Sequence, residues 1–578
     1  MTDRHTAKVR NRLLFQRGGF AFACLLASIV LFSGATMAAS VREIRSEEEL
    51  IRGPAATGRV GDLLLENGWL RVIVSSIDHP AGRALSGGQL LDVAMHGGDD
   101  EWGQSLVALT DEFPRQVRYQ TMEIAGTGTR ASVRFLGKDS RNDNIEITTT
   151  YSLSDGSDHL EITTEYRNGM RGMLDSVIVG DRIALGTAWA FVPGYGRLSA
   201  GRPTAEEFVA TPSRILLIGN GVTYGWESPF AGSITPQNEN AIRVTFTPFR
   251  IGAKETETFV RRLFVGGPDP GALLTTMSPD HSIPVPGRIY HEDFDDLLHD
   301  TWVEVRRDGT PYSLIRPGPD GRFLARLPAG VYDARAVTSN GTVGPYRHFN
   351  PAFEQSGELR LQMDDEAKVT IEVRDERGDL IPAKVSHVHA GADELFVPHR
   401  AQRYLGTGTG FVRLPAGTNR LYFSHGPLYD RVVREINPGR SEQLEIAVTL
   451  ERQVDARGLH AVDANVRSVR SLNSAVPLQN LREAALVEGL DMLVLLDRGQ
   501  NPSANLPHET PFIVEGQEVL VPRMGSFGLF PIAPGDQVIS VGPNGMEGRA
   551  PTEFLSRFRR VDSNPLVQVQ LPRDPANG

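Results

Sequence analysis

Residues 145–166 read IEITTTYSLSDGSDHLEITTEY and contain the clearest secondary-structure signal of the chain. Apolar side chains alternate with charged residues or threonine through Ile145–Tyr151 and again through Leu160–Tyr166. Alternation with a period of two is typical of a strand with one buried face. The segment Asp155–Asp158 between the two runs is rich in turn-forming residues. The stretch therefore predicts an antiparallel hairpin and, with it, a β-sheet domain.

The same pattern extends over the first half of the chain. Leu63–Val74 reads as a second hairpin, with Glu66, Asn67 and Gly68 in its turn. The 59 glycines and 37 prolines separate many short apolar alternations, as in all-β proteins. Residues 40–284 are therefore predicted to form one large β-sandwich, whose pattern resembles the large sandwiches of sugar-acting enzymes.

Two shorter units follow, at residues 285–364 and 365–453. Each has a strand, a glycine-containing turn and a strand that closes in Leu-Pro-Ala-Gly, at residues 327–330 and 414–417. Proline cannot donate to a strand ladder and glycine accepts positive φ, so this motif ends a strand and turns the chain. The units resemble carboxypeptidase-regulatory-like β-sandwiches, which are Ig-like. We interpret them as spacers; a glycan-binding role is the alternative, with His348, Phe349, Tyr404 and Tyr422 as candidate residues.

The N-terminus has the layout of a secretory signal peptide. Basic residues precede an apolar core, Phe20–Phe32, and small residues follow up to Ala39. Residues 1–39 are therefore predicted to be a cleaved signal peptide, with an uncleaved anchor as the alternative and no membrane span after cleavage. The one cysteine, Cys24, lies in that core, so the mature chain would carry no disulfide. We predict a periplasmic or secreted bacterial protein, and the formal net charge of -11 argues against a nucleic-acid partner.

The C-terminal segment, residues 454–578, contains an ordered series of motifs. RGLHAVD at 457–463 predicts a short strand with one histidine. RSLNSAVPL at 470–478 leads into a helix that ends near Gly489, and MLVLLDR at 492–498 predicts a second strand. GQEV at 516–519, GSFGLFP at 525–531 and VQVQLPR at 567–573 complete the series.

These motifs resemble the opening of a PHP-type metallohydrolase of the CehA/McbA-like branch. That family reads Asp-x-His-x-His, Pro-Ser-x-Asp-Ser-Ser-x-Pro-Leu, Thr-Asp-His, Gly-x-Glu-Val, Gly-His-Phe-Asn-x-Tyr-Pro and Val-Gln-Val-Asn-His-Pro-Arg in the same order. The resemblance implies an α/β domain that forms part of a PHP-type barrel. The expected fold is thus multidomain and mainly β, with one C-terminal α/β domain. An open parallel edge would need a cover from the adjacent sandwich or from a partner.

The resemblance also implies which metal ligands remain. It aligns His460 with the first histidine, Asp497 with the aspartate of Thr-Asp-His, and Glu518 with the carboxylate of Gly-x-Glu-Val. Other positions are substituted: Val462, Arg498, Ser526 and Leu571 stand where the family has histidines, and Gly458 and Asn473 stand where it has aspartates.

Loss of four histidines removes most of the binding free energy of a metal centre. Arg498 would add a positive charge where a cation would sit. We therefore expect no cofactor; the alternative is one weakly bound manganese, iron or zinc ion on His460, Asp497 and Glu518.

The leading hypothesis is a non-catalytic binding or scaffold protein of the envelope, with a glycan or an envelope protein as its partner. A divalent-metal-dependent hydrolase of phosphoesters or related esters and a glycan-binding envelope protein are the alternatives.

Other polar groups carry weaker signals. We interpret Asp99–Glu101 as a solvated loop, and Glu518 as a solvated or salt-bridged carboxylate. His508 lies in a Pro/Asn-rich loop that could approach the pocket, and Asp463 would point to the face opposite the ligands. Gly525–Gly528 lacks the Gly-x-Ser-x-Gly spacing of a nucleophile elbow.

Overall fold

The structure is a computed structural model that describes residues 38–570, except for residues 83, 110–114, 127, 199–212, 238–239, 279–281, 291–299, 355–356, 391–394, 472, 499–510, 522–524 and 534–563. Within the last of these ranges, residues 552 and 556 are described. Residues 1–37 of the predicted signal peptide, 1–39, lie outside the described residues, as do His508 and Leu571. Ala39, at the end of that prediction, is 1% exposed and forms a β-bridge with Gly128. In the described ranges, none of the helices has the length and apolarity that a bilayer crossing requires.

The first part of the chain forms two large sheets. Its strands, β1 to β19, are Ser40–Glu43, Leu63–Glu66, Leu70–Val74, Leu90–Met95, Gln104–Ala108, Val117–Ala125, Arg130–Asp139, Asn142–Ser154, His159–Asn168, Leu174–Val177, Gly180–Ala184, Trp189–Val192, Gly196–Arg197, Arg214–Ile218, Thr223–Glu227, Ala231–Gln237, Ala241–Phe246, Phe249–Ile251 and Thr256–Gly266. A short 3-10 helix spans Glu47–Glu49.

One sheet has the strand order β1-β2-β3-β4-β5-β11-β17-β16, and the other has the order β13-β12-β14-β15-β19-β9-β8-β7-β6. Strands β10 and β18 pair separately. The predicted hairpin is confirmed: β8 pairs with β9 in antiparallel register, with Tyr151 opposite Ile162. The second hairpin is confirmed as β2 and β3. Its turn is held by Asn67 Oδ1, which accepts the N–H groups of Trp69 and Leu70 at 2.8 Å each.

Two small sandwiches follow a helix, α1, at Pro270–Met277. The first comprises β20 to β26 and a one-turn helix, α2, at Pro351–Glu354. The strands are Ile283–Tyr290, Thr301–Arg307, Thr310–Ile315, Arg322–Leu327, Tyr332–Thr338, Arg347–Phe349 and Leu359–Gln362. The second comprises β27 to β33, at Ala367–Asp375, Ala383–His389, Gln402–Leu405, Thr409–Leu414, Asn419–Ser424, Val432–Ile436 and Gln443–Leu450.

The two small sandwiches share one topology. The first consists of sheets β23-β20-β26 and β22-β21-β24-β25, and the second of sheets β30-β27-β33 and β29-β28-β31-β32. Adding seven to each strand number of the first sandwich gives the second. The tandem pair expected from the repeated Leu-Pro-Ala-Gly motif is therefore present as two copies of one sandwich.

The three sandwiches share an apolar interface. Phe191 and Ile218 of the large sandwich, Trp302 of the first small sandwich, and Phe396 and Val397 of the second belong to one buried cluster. The backbone N–H of Phe396 also donates to Glu304 Oε1 at 2.6 Å, and this carboxylate pairs with Arg335 at 2.9 Å. The small sandwiches are therefore packed against the large sandwich, and their role as spacers stays a prediction.

The C-terminal segment forms a five-stranded sheet in the order β34-β35-β36-β37-β38. Its strands are Val462–Val466, Met492–Arg498, Phe512–Val521, Gly525–Phe530 and Leu566–Val569, and helix α3 spans Leu478–Val487. The first three strands are parallel and the remaining pairs are antiparallel. The expected α/β segment is thus a small mixed sheet in the described residues, in which no closed barrel is seen.

Helix α3 lies against the second small sandwich. Lys384 of β28 forms an ion pair with Glu488 at the end of the helix. His425 Nδ1 lies 3.1 Å from the carbonyl oxygen of Val487. Within the described ranges, β34 has no strand on its outer side, and Val462 is 41% exposed. The adjacent sandwich therefore contacts the helix, and in the described residues it places no strand on the parallel edge. A cover of this edge by a partner stays a prediction.

Candidate functional site

A buried polar cluster lies where β34 and β35 end and where β36 and β37 run beside them. We call Arg467, Arg498, Glu518, Ser526 and Gln570 the Glu518 cluster. The carboxyl ends of parallel strands meet at one edge of a sheet, so the residues that follow β34 and end β35 come together. Arg498 stands directly opposite Glu518 in the parallel ladder, and side chains opposite each other on adjacent strands share a face.

Glu518 is the centre of this cluster. Arg498 Nε donates to Glu518 Oε2 at 2.6 Å and Arg498 Nη2 donates to Oε1 at 2.9 Å, which is a bidentate pair. Arg467 Nε donates to Oε2 at 2.7 Å. The Ser526 hydroxyl donates to Oε1. Both carboxylate oxygens therefore accept two hydrogen bonds each.

The charge on Glu518 is fixed by these partners. Burial alone would raise the pKa of this carboxyl group, but the hydrogen bonds and charges of Arg498 and Arg467 outweigh it and lower the pKa to about 2. Glu518 is 2% exposed. It is therefore an ionised, buried carboxylate at neutral pH, held by two guanidinium groups.

An outer layer of amides completes the cluster. Arg467 Nη2 donates to Gln570 Oε1 at 3.1 Å, and Gln570 Nε2 donates to Asn465 Oδ1 at 2.9 Å. The backbone N–H of Gln570 also donates to the Ser526 carbonyl oxygen at 2.9 Å. The four strands β34, β36, β37 and β38 are therefore joined by side chains as well as by their ladders.

Asp497 belongs to a second, separate set of hydrogen bonds. Its Oδ1 accepts the Ser468 N–H and the Ser471 hydroxyl at 2.8 Å each, and its Oδ2 accepts the Ser468 hydroxyl at 2.6 Å. The Ser471 oxygen in turn accepts the Arg498 N–H at 3.1 Å. Asp497 therefore fixes the loop after β34 onto the end of β35. Asp497 and Arg498 both end β35, yet each has its own partners.

His460 is not brought to this site. Strand β34 begins only at Val462, so His460 precedes the strand; its side chain is 82% exposed and its Nδ1 lies 3.5 Å from Asp491 Oδ2. Asp491 and Asp497 lie at opposite ends of β35, whose seven residues at about 3.3 Å each span roughly 20 Å. The set His460, Asp497 and Glu518 predicted from sequence is therefore not assembled.

The strand bounds correct the register on which that set depended. Asn465 in β34 and Arg467 just after it contact the cluster. They are two positions apart and therefore lie on one side of the strand. His460 and Val462 lie at the other end. The sequence signal was available: Asp463, Asn465 and Arg467 repeat with the same period of two that was assigned to residues 458–462. Asp463 itself is exposed and accepts the Asn465 N–H at 3.0 Å.

These residues do not fit a divalent cation. A metal-bound carboxylate needs lone pairs directed at the ion, whereas each oxygen of Glu518 already accepts two hydrogen bonds. The side chains within reach are two guanidinium groups, a hydroxyl and amides, and an arginine cannot lose its proton to become a ligand. The described residues contain no group of three or more His, Cys, Asp or Glu side chains placed to share an ion.

Two further sequence interpretations are corrected. Asp100 and Glu101 do not lie in a solvated loop: Asp100 is fully buried and Glu101 is 7% exposed. Glu101 accepts the backbone N–H groups of Asn220 and Gly221 at 2.9 Å. Phe349, a candidate for glycan stacking, is buried in its own sandwich at 4% exposure, while His348 beside it pairs with Asp333 at 3.0 Å.

The two tyrosine candidates lie elsewhere. Tyr404 stands opposite Lys384 and Tyr422 opposite Ser386 in the sheet of the second small sandwich. Both therefore lie on the face of that sheet which meets helix α3. They are remote in sequence and in sheet from His348, so the four glycan candidates do not form one site.

No protein-family model matches the chain, and no curated protein matches it. Similar solved structures include a TPR-domain containing protein from Parabacteroides distasonis, at a TM-score of 0.26 and 12% identity over 40% of this chain and 53% of that chain. A galactose mutarotase-like protein from Clostridium acetobutylicum has a TM-score of 0.27 and 9% identity over 40% and 99% of the two chains. Galactose 1-epimerase from Lactobacillus acidophilus has a TM-score of 0.23 and 9% identity over 40% and 99%. Similarity this low carries no argument about fold or function.

Proposed function

We propose that this protein is a non-catalytic binding or scaffold protein of the bacterial envelope, and that its C-terminal domain derives from a PHP-type metallohydrolase. In this proposal the metal centre has been replaced by the Glu518 cluster. The observation that carries it is the bidentate pair between Arg498 and Glu518, with Arg467 and Ser526 on the same carboxylate.

The corrected register supports this derivation. Aligned on the end of β34, the family's Asp-x-His-x-His falls on Asp463, Asn465 and Arg467. Arg498 and Ser526 stand at two further histidine positions of the family. Four former histidine positions are then occupied by residues that hydrogen-bond to Glu518 or to Gln570. The substitutions are thus mutually compatible rather than scattered.

Electrostatics gives the physical reason why such a replacement is stable. A buried carboxylate without a counter-charge is costly. A divalent ion would supply two positive charges beside Glu518, and the guanidinium groups of Arg467 and Arg498 supply the same number. The two arginines therefore keep the acidic residue ionised and the sheet edge intact, without an ion that could activate water.

The test is metal retention and turnover by the full mature chain. The protein is incubated with excess Mn²⁺ or Zn²⁺ and desalted, the bound metal is measured by mass spectrometry, and hydrolysis of bis-p-nitrophenyl phosphate is followed. We expect retained metal far below one equivalent and no hydrolysis above the buffer rate, in the wild type and in Glu518→Gln alike.

A matched control comes from the opposite end of the sheet. His460→Ala removes an exposed imidazole that the structure keeps away from the cluster. Near-stoichiometric metal, together with phosphodiesterase activity that Glu518→Gln abolishes and His460→Ala leaves intact, would overturn the proposal in favour of a hydrolase. Metal lost specifically in His460→Ala would instead restore the original set of ligands.

A further inference from the structure

A cleft opens between the large sandwich and the two small ones, and Ala475 of the C-terminal domain contributes to its lining. Its larger part has a volume of about 530 Å³ and is lined by Trp189 and Asn240 of the large sandwich, Trp302 of the first small sandwich and Arg400 of the second. Its smaller part, of about 300 Å³, lies beside His387, Arg403 and Arg413. Both parts are lined by Asp300 and Arg400, so they adjoin.

The charges along this cleft are unbalanced. Four of the described lining residues are arginines, and two are carboxylates: Arg316, Arg400, Arg403, Arg413, Asp300 and Glu101. The Glu101 carboxylate already accepts hydrogen bonds from the backbone N–H groups of Asn220 and Gly221 and from the Thr187 hydroxyl at 2.7 Å. With four guanidinium groups against two carboxylates, the described lining is positive in a chain whose formal net charge is -11, and local charge of this kind selects anions.

The carboxylate Asp300 does not cancel this excess. It accepts the Ser339 hydroxyl, and its other oxygen lies 3.9 Å from Arg400 Nη1. The single negative charge of Asp300 offsets at most one guanidinium group, that of Arg400. Burial and the charge of Arg400 lower the pKa of Arg316, and the charge of Asp300 acts in the opposite sense. The guanidinium groups of Arg316 and Arg400 thus repel each other across the larger part of the cleft.

The walls are apolar and partly preformed. Trp189 meets Trp302 edge to face with ring centroids 6.3 Å apart. The Arg316 guanidinium carbon lies 4.9 Å from the centre of the Trp302 ring, which holds this cation in place. Leu185, Leu198, Ile218 and Val397 supply further apolar surface. Apolar walls with a few fixed polar groups, in a volume of several hundred Å³, are typical of small-molecule sites.

We propose that this cleft binds an acidic oligosaccharide, with Arg400 and Arg403 contacting its carboxylates. Arginine favours carboxylates because its planar donors match their geometry. The Nδ2 of Asn240 donates to the carbonyl oxygens of Gly186 and Ser474, and its Oδ1 can accept a hydrogen bond from a hydroxyl group. The inference rests on the proposed binding role and names its ligand class. It does not depend on the state of the Glu518 cluster.

The test uses tetragalacturonate as the probe and maltotetraose as its neutral counterpart. Both are titrated calorimetrically into the full mature chain at two NaCl concentrations. We expect saturable binding of tetragalacturonate that weakens with salt, and much weaker binding of maltotetraose. The variant Arg400→Gln/Arg403→Gln should lose affinity on the order of tenfold or more.

A charge-matched control lies in the same sandwich. Arg431→Gln/Arg434→Gln removes two exposed arginines that do not line the cleft and should leave affinity unchanged. Equal losses in both double variants would overturn the proposal, since only net charge would then matter. Equal binding of the two tetrasaccharides, or no binding of tetragalacturonate at millimolar concentration, would also overturn it. Failure of the oligosaccharide test would not change the result of the metal-retention test, and retained metal would not change the result of the oligosaccharide test.

Discussion

Arg498 and Glu518 occupy facing positions of two adjacent parallel strands and form a bidentate ion pair that is almost completely excluded from solvent. The pair is 2.6 Å long between Nε and Oε2. Arginine and glutamate at these positions are costly to bury singly but acceptable together.

Removing one partner of this pair should destabilise the C-terminal sheet. Arg498→Met leaves Glu518 buried with Arg467 as its one remaining guanidinium partner in the cluster, and we expect a loss of about 3–5 kcal/mol. Hydrogen exchange of peptides from β35 and β36 measures the local effect. Arg498→Met/Glu518→Met should recover much of the loss, and Arg457→Ala, in an exposed pair with Asp455, should leave exchange in these strands unchanged. Equal effects of Arg498→Met and Arg457→Ala would contradict a stabilising role of the pair between Arg498 and Glu518.

The same carboxylate predicts an acid limit for this sheet. The folded-state pKa of Glu518, about 2, lies below the ordinary value of 4.5. A carboxyl group with a lowered folded pKa stabilises the fold fully above its unfolded pKa, and this contribution disappears as the pH falls from about 4.5 to 2. The shift corresponds to about 3 kcal/mol. The protection factors of the β36 amides, which correct for the slower intrinsic exchange at acid pH, should therefore fall below pH 4.5 in the wild type. In Glu518→Gln these protection factors should already be low at pH 7 and should change little over this range.

Asp92 predicts the opposite trend in the large sandwich. Complete burial raises its pKa to about 7, against the hydrogen bonds that it accepts from the N–H groups of Thr57 and Gly58. Because the folded state then binds the proton more tightly than the unfolded state, stability should fall as the pH rises from about 4 to 7. Urea unfolding followed by tryptophan fluorescence should show this slope. Asp92→Asn should make this slope shallower; burial also raises the pKa of Asp100, which should keep part of it. Asp99→Asn, at an exposed neighbouring position, should keep the wild-type slope.

Phe396 should hold the sandwiches together. It is 5% exposed in the cluster shared by the three sandwiches, and its backbone N–H donates a hydrogen bond to the Glu304 carboxylate. Phe396→Ala should cost about 3–5 kcal/mol at this interface. Limited proteolysis should then cleave between the sandwiches faster than in the wild type. Phe411→Ala removes a ring of the same sandwich that is 39% exposed; if it accelerates cleavage as much, the effect is not at the interface.

Periodicity predicted the strands well because it is a local property. The hairpin at residues 145–166 and the strand Met492–Arg498 are both present as predicted. The start of β34 was misplaced by a few residues, because apolar residues such as Leu459 and Val462 fit a strand pattern equally well on either side of its real start. A shift of this size leaves His460 at the other end of the strand from the Glu518 cluster, and Asn465 and Arg467 contact that cluster instead.

Burial of charged groups could not be deduced from the sequence. Asp100 and Glu101 look like a solvated acidic run, yet both are buried and accept hydrogen bonds from backbone N–H groups, of Val93 for Asp100 and of the distant Asn220 for Glu101. A salt bridge was one of the two interpretations of Glu518, but its partner Arg498 was missed. The two residues are twenty positions apart, and their contact depends on the parallel register of two strands. The cleft of Arg400 likewise depends on how three sandwiches pack.

The paired topology of the small sandwiches bears on how the chain would respond to tension. In each, the strand by which the chain enters lies next to the strand by which it leaves, and the two are parallel: β20 beside β26 and β27 beside β33. Force applied to the two ends would slide these strands past each other and load the whole ladder at once, instead of opening it one hydrogen bond at a time. The ladder joins eight residue pairs in the second sandwich and four in the first. Under load the first sandwich should yield before the second.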